Sequence, residues 1–482
     1  MSLLYDLVLR DAQVIDGSGS PAYEADIGIS GDRISFVGRD GDVRGAKDVP
    51  ARGLAVAPGF IDVHSHDDNA LLIDRAMAAK VTQGVTSVVA GNCGVSLAPL
   101  VTDDPPAPLN VLDHGDAPAF RFTSFKAYVQ ALEAHPAAVN AALLVGHSTL
   151  RASVMDDLSR PATAAEAEAM ADILDAAMES GAIGLSSGLW YPPANAATMR
   201  EVVRVLQPVH RRGGIYTTHM RNEDDDVATS LEESFETARQ AKTPLVVSHH
   251  KCMGAANFGR SVETLGLIDE AASRQDVSFD AYPYTAGSSA LLIAPILKSS
   301  KVTITWSDAL PNCSGRDLDD LAAEWEVDRL EAAQRLMPGG AIYHMMDEAD
   351  VSRILAHPGC MIGSDGLPHD AFPHPRLWGT FPRVLGHYVR ERKLFTLEEA
   401  VRRMTSLPAE RFGLQGRGRV AVGAYADLVV FDPAEIDAMA TFEEPTRPAK
   451  GVRLVMVNGQ IVYQDNQLTS ARPGRVLTRI AA

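Results

Sequence analysis

A chain of 482 residues, 46% hydrophobic and 22% charged, can bury one large core with a satellite and has the composition of an ordinary globular protein. Its formal net charge of −18 has the wrong sign for a phosphate-binding surface, so no nucleic-acid partner is expected. No apolar run reaches the roughly 20 residues that span a bilayer, and the start Met1-Ser2-Leu3-Leu4-Tyr5-Asp6 lacks the basic and apolar regions of a secretory signal, so no membrane is expected either.

The first elements in the chain are β-rich runs at 5–10, 25–30 and 33–37, punctuated by the turn signals Asp16-Gly17 and Gly31-Asp32. From residue 58 strand and helix patterns alternate. Candidate strands lie at 58–65, 86–92, 141–146, 182–187, 214–219, 244–249, 277–282 and 360–364, with helical patterns such as 164–179 and 202–212 between them. This alternation predicts an α/β fold, a (β/α)8 TIM barrel with insertions, and leaves a doubly wound open sheet as the alternative. The stretch at about 285–345, between the seventh and eighth strands, is too long for an ordinary loop. It contains a helix-like run over 318–336 and is expected to fold over the barrel mouth as a lid. β-rich runs return at 426–431, 452–457 and 460–463, the last two joined by Asn458-Gly459, a strong hairpin signal. The two ends, 1–57 and 413–482, are therefore expected to form one small β-domain beside a catalytic barrel at 58–412.

The chemistry gathers at the predicted strand ends. In Pro58-Gly59-Phe60-Ile61-Asp62-Val63-His64-Ser65-His66, His64 and His66 are two apart and share one side of a strand. Cys93, His219, His249 and Asp365 each follow an apolar run at the C-terminal end of a different strand, where barrel active sites form. Thiolate and imidazole suit zinc, and three such ligands plus water make the open catalytic arrangement. His249 and His250 are adjacent, so one alone can face the site; His249 is assigned to the metal and His250 to a structural role. His147 is read as a hydrogen-bonded histidine at a strand end. The cysteines (Cys93, Cys252, Cys313 and Cys360) are few and scattered, which fits a reducing compartment and a cytoplasmic location.

These stretches, with Gly91-Asn92-Cys93-Gly94, Thr218-His219-Met220-Arg221-Asn222-Glu223, Ser248-His249-His250-Lys251, Gly363-Ser364-Asp365-Gly366 and His374-Pro375-Arg376-Leu377-Trp378-Gly379-Thr380, resemble the amidohydrolase superfamily. Within it the chain is similar to the N-acyl-D-amino-acid deacylases (D-aminoacylases) over nearly its whole length, and the resemblance implies that the two terminal β segments form that family's small β-sandwich domain. The fourth strand, Gly184-Leu185-Ser186-Ser187, lacks the lysine whose carbamate bridges two metals in hydantoinases, dihydroorotases and ureases, whereas Cys93 matches the cysteine of the D-aminoacylase branch.

The resemblance implies one Zn2+ held tightly by Cys93, His219 and His249, and a weaker second position at His64 and His66. It makes Asp365 the acid–base residue acting on a small-molecule N-acyl-D-amino acid. Lys251, Tyr282 and Arg376 would hold the substrate carboxylate, and Ser288, Leu297, Tyr343 and Met346 its side chain. That set is largely apolar, and 291–297 carries no cation, although Lys298 and Lys301 follow closely. Hydrophobic D-amino acids are therefore the expected products. A cyclic-amide or dipeptide hydrolase of the same superfamily and a non-catalytic scaffold remain the alternatives, and the oligomeric state is left open.

Overall fold

Short, almost wholly buried strands alternate with helices through the middle of the computed structural model, which describes residues 4–39, 43–113 and 118–480. Residues 1–3 and 481–482, counted above with the terminal domain and, for 1–3, with the signal reading, lie outside the described residues. In chain order the barrel strands are Phe60–Asp62, Val85–Ala90, Asn140–Gly146, Gly184–Gly188, Ile215–His219, Leu245–Val247, Val277–Ala281 and Cys360–Ile362. Neighbours in sequence are neighbours in the parallel sheet. Both faces are covered, which is why these strands read as continuous apolar runs without alternation.

The first and last strands meet through a parallel bridge between Ser65 and Gly366, and the N–H of Asp365 donates to the carbonyl of His64 at 2.7 Å. The sheet is thus a nearly closed barrel, and the open doubly wound alternative is excluded. Thr163 and Glu166 cap the helix Ala164–Glu179 reciprocally. The helical pattern at 202–212 divides into Met199–Val205 and Gln207–Arg211, with Pro208 in the first turn of the second helix, where a missing N–H is harmless.

Between the seventh and eighth strands the chain builds an antiparallel sheet from Ala286–Ala290, Lys301–Ser307 and Gly339–His344, with the last of these in the centre. It carries its own core, including Val302, Ile304, Leu321 and Leu336. The helix-like run at 318–336 is two helices, Leu318–Glu324 and Arg329–Leu336. Glu326 turns to φ 54° between them, and Asp328 caps the second.

Both chain ends enter one sheet of nine strands. Its seam is Ala55–Pro58 against Leu428–Phe431, antiparallel, with Leu4–Val14 on the other side of Ala55–Pro58. Val452–Val457 and Gln460–Gln464 form the expected hairpin, with Asn458 and Gly459 at φ 46° and 80°. The sheet curls back on itself: Ile34 N–H reaches Ala424 O and Ala426 N–H reaches Asp32 O, both at 2.9 Å. Leu9, Ile27, Leu428 and Leu454 share the core enclosed in this way. Val476–Leu477 instead joins the barrel beside Ala141 and Ala142. Gly59 separates sheet from barrel, and a Cβ there would lie 2.1 Å from Thr86, so only glycine fits. No helix among the described residues is long and apolar enough to cross a membrane.

Candidate metal centre

The strand ends bring five predicted donors together. His64 and His249 place their Nε2 atoms 3.1 and 3.2 Å from Cys93 Sγ. His66 Nε2 lies 3.2 Å from Asp365 Oδ1, and His64 Nε2 lies 3.5 Å from the same oxygen. The rings of His219 and His249 are 4.5 Å apart. Cys93, His249 and Asp365 adopt positive φ (54°, 36° and 49°), left-handed backbone that residues with a Cβ rarely take. Each lies two or three residues past the end of its strand, and their donor atoms converge. Backbone strain concentrated at a donor cluster is typical of a functional site.

Donor atoms of His64, Cys93, His249 and Asp365 form one group within metal-sharing distance, and those of His219, Glu223 and His249 form a second. Burial alone would keep the Cys93 thiol protonated, but the facing imidazoles of His64 and His249 outweigh it and hold the thiol well below its ordinary value. Among the described residues neither ring nitrogen of buried His219 makes a hydrogen bond, although Nε2 stands 3.4 Å from Glu223. A thiolate among imidazoles with unused nitrogen donors is the ligand chemistry zinc takes. The residues therefore fit the ion.

Glu223, which the sequence reading passed over, organises one side. Its carboxylate accepts from Lys251 Nζ at 2.7 Å, stands 3.1 Å from His249 Nδ1 and 3.4 Å from His219 Nε2. Burial would raise its pKa, yet His219, Lys251 and His249 hold it far below the carboxylate range. It is the residue four after His219 in the quoted motif, so its position was visible and its role was not. Asp280, also passed over, accepts from His249 N–H at 2.9 Å and lies 3.4 Å from His64 Nδ1. A carboxylate behind a ligand histidine fixes its tautomer and orientation. His250 turns away and meets Thr264 Oγ1 at 2.8 Å. His147 meets Glu201 Oε1 at 3.1 Å, outside the donor group.

A cavity opens onto this centre. Lys251, Tyr282, Ser288, Tyr343 and Arg376 all line it, as do Trp190, Tyr191 and Met345, which the sequence reading did not single out. Fully buried Arg376 places Nη1 2.8 Å from Asp365 Oδ2 and stacks its guanidinium 4.6 Å from the Tyr282 ring centre. Two expected side-chain contacts stand elsewhere. Leu297 is 67% exposed, because the short helix Ile293–Lys298 buries its Ile296 face and turns Leu297 outward. Met346 lines a smaller neighbouring cavity behind Tyr282. Residues two apart share a side in extended chain, so Tyr343 and Met345 face the main cavity together and Met346 turns away.

The amidohydrolase family model matches residues 49–283 and 318–463. The chain belongs to the amidohydrolase family. This amidohydrolase is 55% identical to a D-aminoacylase of Alcaligenes xylosoxydans xylosoxydans, covering 99% of this chain and 98% of that one. It is 47% identical to an N-acyl-D-aspartate deacylase of the same organism, over 98% and 95% of the two chains. A D-aminoacylase crystal structure superposes with a TM-score of 0.97 at 53% identity, over 98% of this chain and all of that one. An N-acyl-D-glutamate deacylase from Bordetella bronchiseptica, solved with zinc and a phosphonate mimic of the tetrahedral intermediate, superposes at 0.95 with 45% identity, over 98% and 100% of the chains. These likenesses place this amidohydrolase in the N-acyl-D-amino-acid deacylase branch.

Proposed function

We propose that this enzyme hydrolyses N-acyl-D-amino acids to a carboxylate and a free D-amino acid, favouring hydrophobic side chains. The observation that carries the reading is the double contact of Asp365. One carboxylate oxygen faces His64 and His66, and the other faces Arg376. A single carboxylate thus stands between the donor cluster and a guanidinium suited to a substrate carboxylate.

Cys93, His219 and His249 would hold a tight zinc, and His64 with His66 a weaker one. When bound, zinc lowers the pKa of a coordinated water to about 7 and polarises the amide carbonyl. Asp365 takes the water proton and returns it to the leaving nitrogen, two sequential steps that one carboxylate can serve. Its pKa, which burial would raise, is held low chiefly by Arg376, His249 and His64, so it starts as a base. Arg376, Lys251 and the free Tyr282 hydroxyl converge on the cavity to receive the substrate carboxylate. Glu223 keeps Lys251 and His249 in place.

Support for an apolar side-chain pocket comes from where the nearby cations are engaged. Lys298 is tied to Asp224 at 2.6 Å and Asp225 at 3.1 Å, and Lys301 lies exposed at 4.0 Å from Asp317. Pro295, Tyr343, Met345 and Met253 line the cavity in their place. Identity to the D-aminoacylase also exceeds identity to the D-aspartate and D-glutamate deacylases, 55% against 47% and 46%.

The test is hydrolysis of N-acetyl-D-methionine, N-acetyl-L-methionine and N-acetyl-D-glutamate before and after chelation and zinc re-addition. Cleavage of N-acetyl-D-methionine ahead of the other two, lost on chelation and restored by zinc, is expected. Faster cleavage of the glutamate substrate would remove the side-chain preference, and cleavage of the L form would remove the stereochemical reading.

A further inference from the structure

We infer that Lys80 is a positioning residue, whose buried ammonium aligns the His64–His66 pair with Asp365 across the seam where the barrel closes. The inference rests on the function proposed for Asp365.

Lys80 sits on the four-residue helix Ala78–Val81, and its side chain is 1% exposed. Its Nζ donates to Asp62 Oδ2 at 2.8 Å and Ser364 Oγ at 3.0 Å, and lies 3.1 Å from Asp67 Oδ2. In the chain these three partners fall two residues before His64, immediately before Asp365 and immediately after His66. One cation therefore holds both flanks of the histidine pair and the flank of the acid–base residue. Asp62 extends the clamp. Its Oδ1 accepts from the N–H of Ser364 at 2.8 Å and of His64 at 3.3 Å, and its Oδ2 accepts from Ser364 Oγ at 2.6 Å.

The seam needs such a clamp. Backbone contact across it is sparse: Asp365 N–H to His64 O, His66 N–H to Gly366 O, and the Ser65–Gly366 bridge. Asp365 is in left-handed backbone, held there only by its surroundings. The strands approach so closely that a Cβ on Gly363 would stand 2.5 Å from the Cβ of His64, so movement of one strand displaces the other. Lys80 lines no part of the substrate cavity. Its removal would leave two buried carboxylates facing one another with no cation between them, and they would separate. A displacement of about 1 Å at a reacting group costs about a hundredfold in rate.

The experiment uses the zinc-loaded full chain carrying Lys80→Met, Lys80→Arg or Ser364→Ala, each checked for folding by thermal melting. Lys80→Met should lower kcat about a hundredfold with KM for N-acetyl-D-methionine within about threefold, because the carboxylate anchors are untouched. Lys80→Arg should recover part of the loss, and Ser364→Ala should lower kcat about tenfold. Affinity for a second equivalent of zinc, read by calorimetry without turnover, should weaken about tenfold in Lys80→Met. Should Lys80→Met fail to fold, Ser364→Ala decides by the same criterion. Unchanged kcat and second-zinc affinity in a folded Lys80→Met protein, or unchanged kcat in Ser364→Ala, would overturn the inference. If the wild type turned over no substrate, the proposed function would fall, while second-zinc affinity would still judge Lys80.

Discussion

Glu201 shows how a single buried carboxylate can hold a stretch of chain near the site. It accepts from the guanidinium of fully buried Arg151, from the N–H of Ala162 at 2.9 Å, and meets His147 at 3.1 Å. Arg151 in turn donates to Pro193 O at 2.6 Å, just after the cavity-lining Tyr191. Burial would raise the Glu201 pKa, but the His147 contact and the other donors hold it down to about 2, from an ordinary value near 4.5. A carboxyl lowered on folding contributes stability that is complete above about 4.5 and is lost as pH falls towards about 2. The contribution at neutral pH is on the order of 3 kcal/mol. Glu201→Gln should therefore lower the urea midpoint most at pH 7, and the gap from wild type should narrow as pH approaches 3. A gap independent of pH would show that the charge on Glu201 does not matter.

At the scale of elements, the convergence of the candidate donors was legible because each follows an apolar strand that the sequence displays openly, and position after a barrel strand already implies convergence on the axis. Glu223 and Lys80 were not. One lies in a loop beyond a strand, the other on a helix of a single turn, and their partners are contributed by segments distant in sequence. The insertion reveals a different limit. Length alone predicted something over the barrel mouth, but a small sheet with a separate core was hidden, because its strands are joined by two helices read as one. Register was hidden as well: Met345 rather than Met346 lines the main cavity, and Leu297 is turned outward. Which methionine meets the substrate is testable. Met345→Ala should raise KM for N-acetyl-D-methionine about tenfold, the loss of roughly 1.5 kcal/mol of apolar contact. Met346→Ala should leave that KM near wild type. Equal effects of the two would argue against the assignment of Met345 to the pocket.

On the scale of the whole molecule, the terminal sheet was legible from its two β-rich ends and the Asn458-Gly459 turn, while the return of Val476–Leu477 to the barrel was not, two residues being too few to carry a pattern. The junction between sheet and barrel is polar and specific. Asn458 donates to Asn140 Oδ1 at 2.7 Å, Asn140 donates to Asp427 at 3.3 Å, and Arg417 pairs with Asp427, all of them buried. Asn140→Leu should strand those partners and lower stability by about 1–3 kcal/mol, while kcat/KM of the folded protein stays unchanged, because the donors lie at the opposite ends of the strands. A fall in kcat/KM matching the fall in melting temperature would contradict that separation.

The seam of Ala55–Pro58 against Leu428–Phe431 joins residues more than three-quarters of the chain apart. During synthesis the early strands emerge long before their partner, and their unpaired edge waits through the translation of the entire barrel. A ribosome that stalls late would therefore release a polypeptide whose candidate site residues have all been made but whose sticky edge is still uncovered, ready to pair with a neighbour. For this enzyme, the last stretch of messenger RNA decides less about chemistry than about whether the product stays in solution.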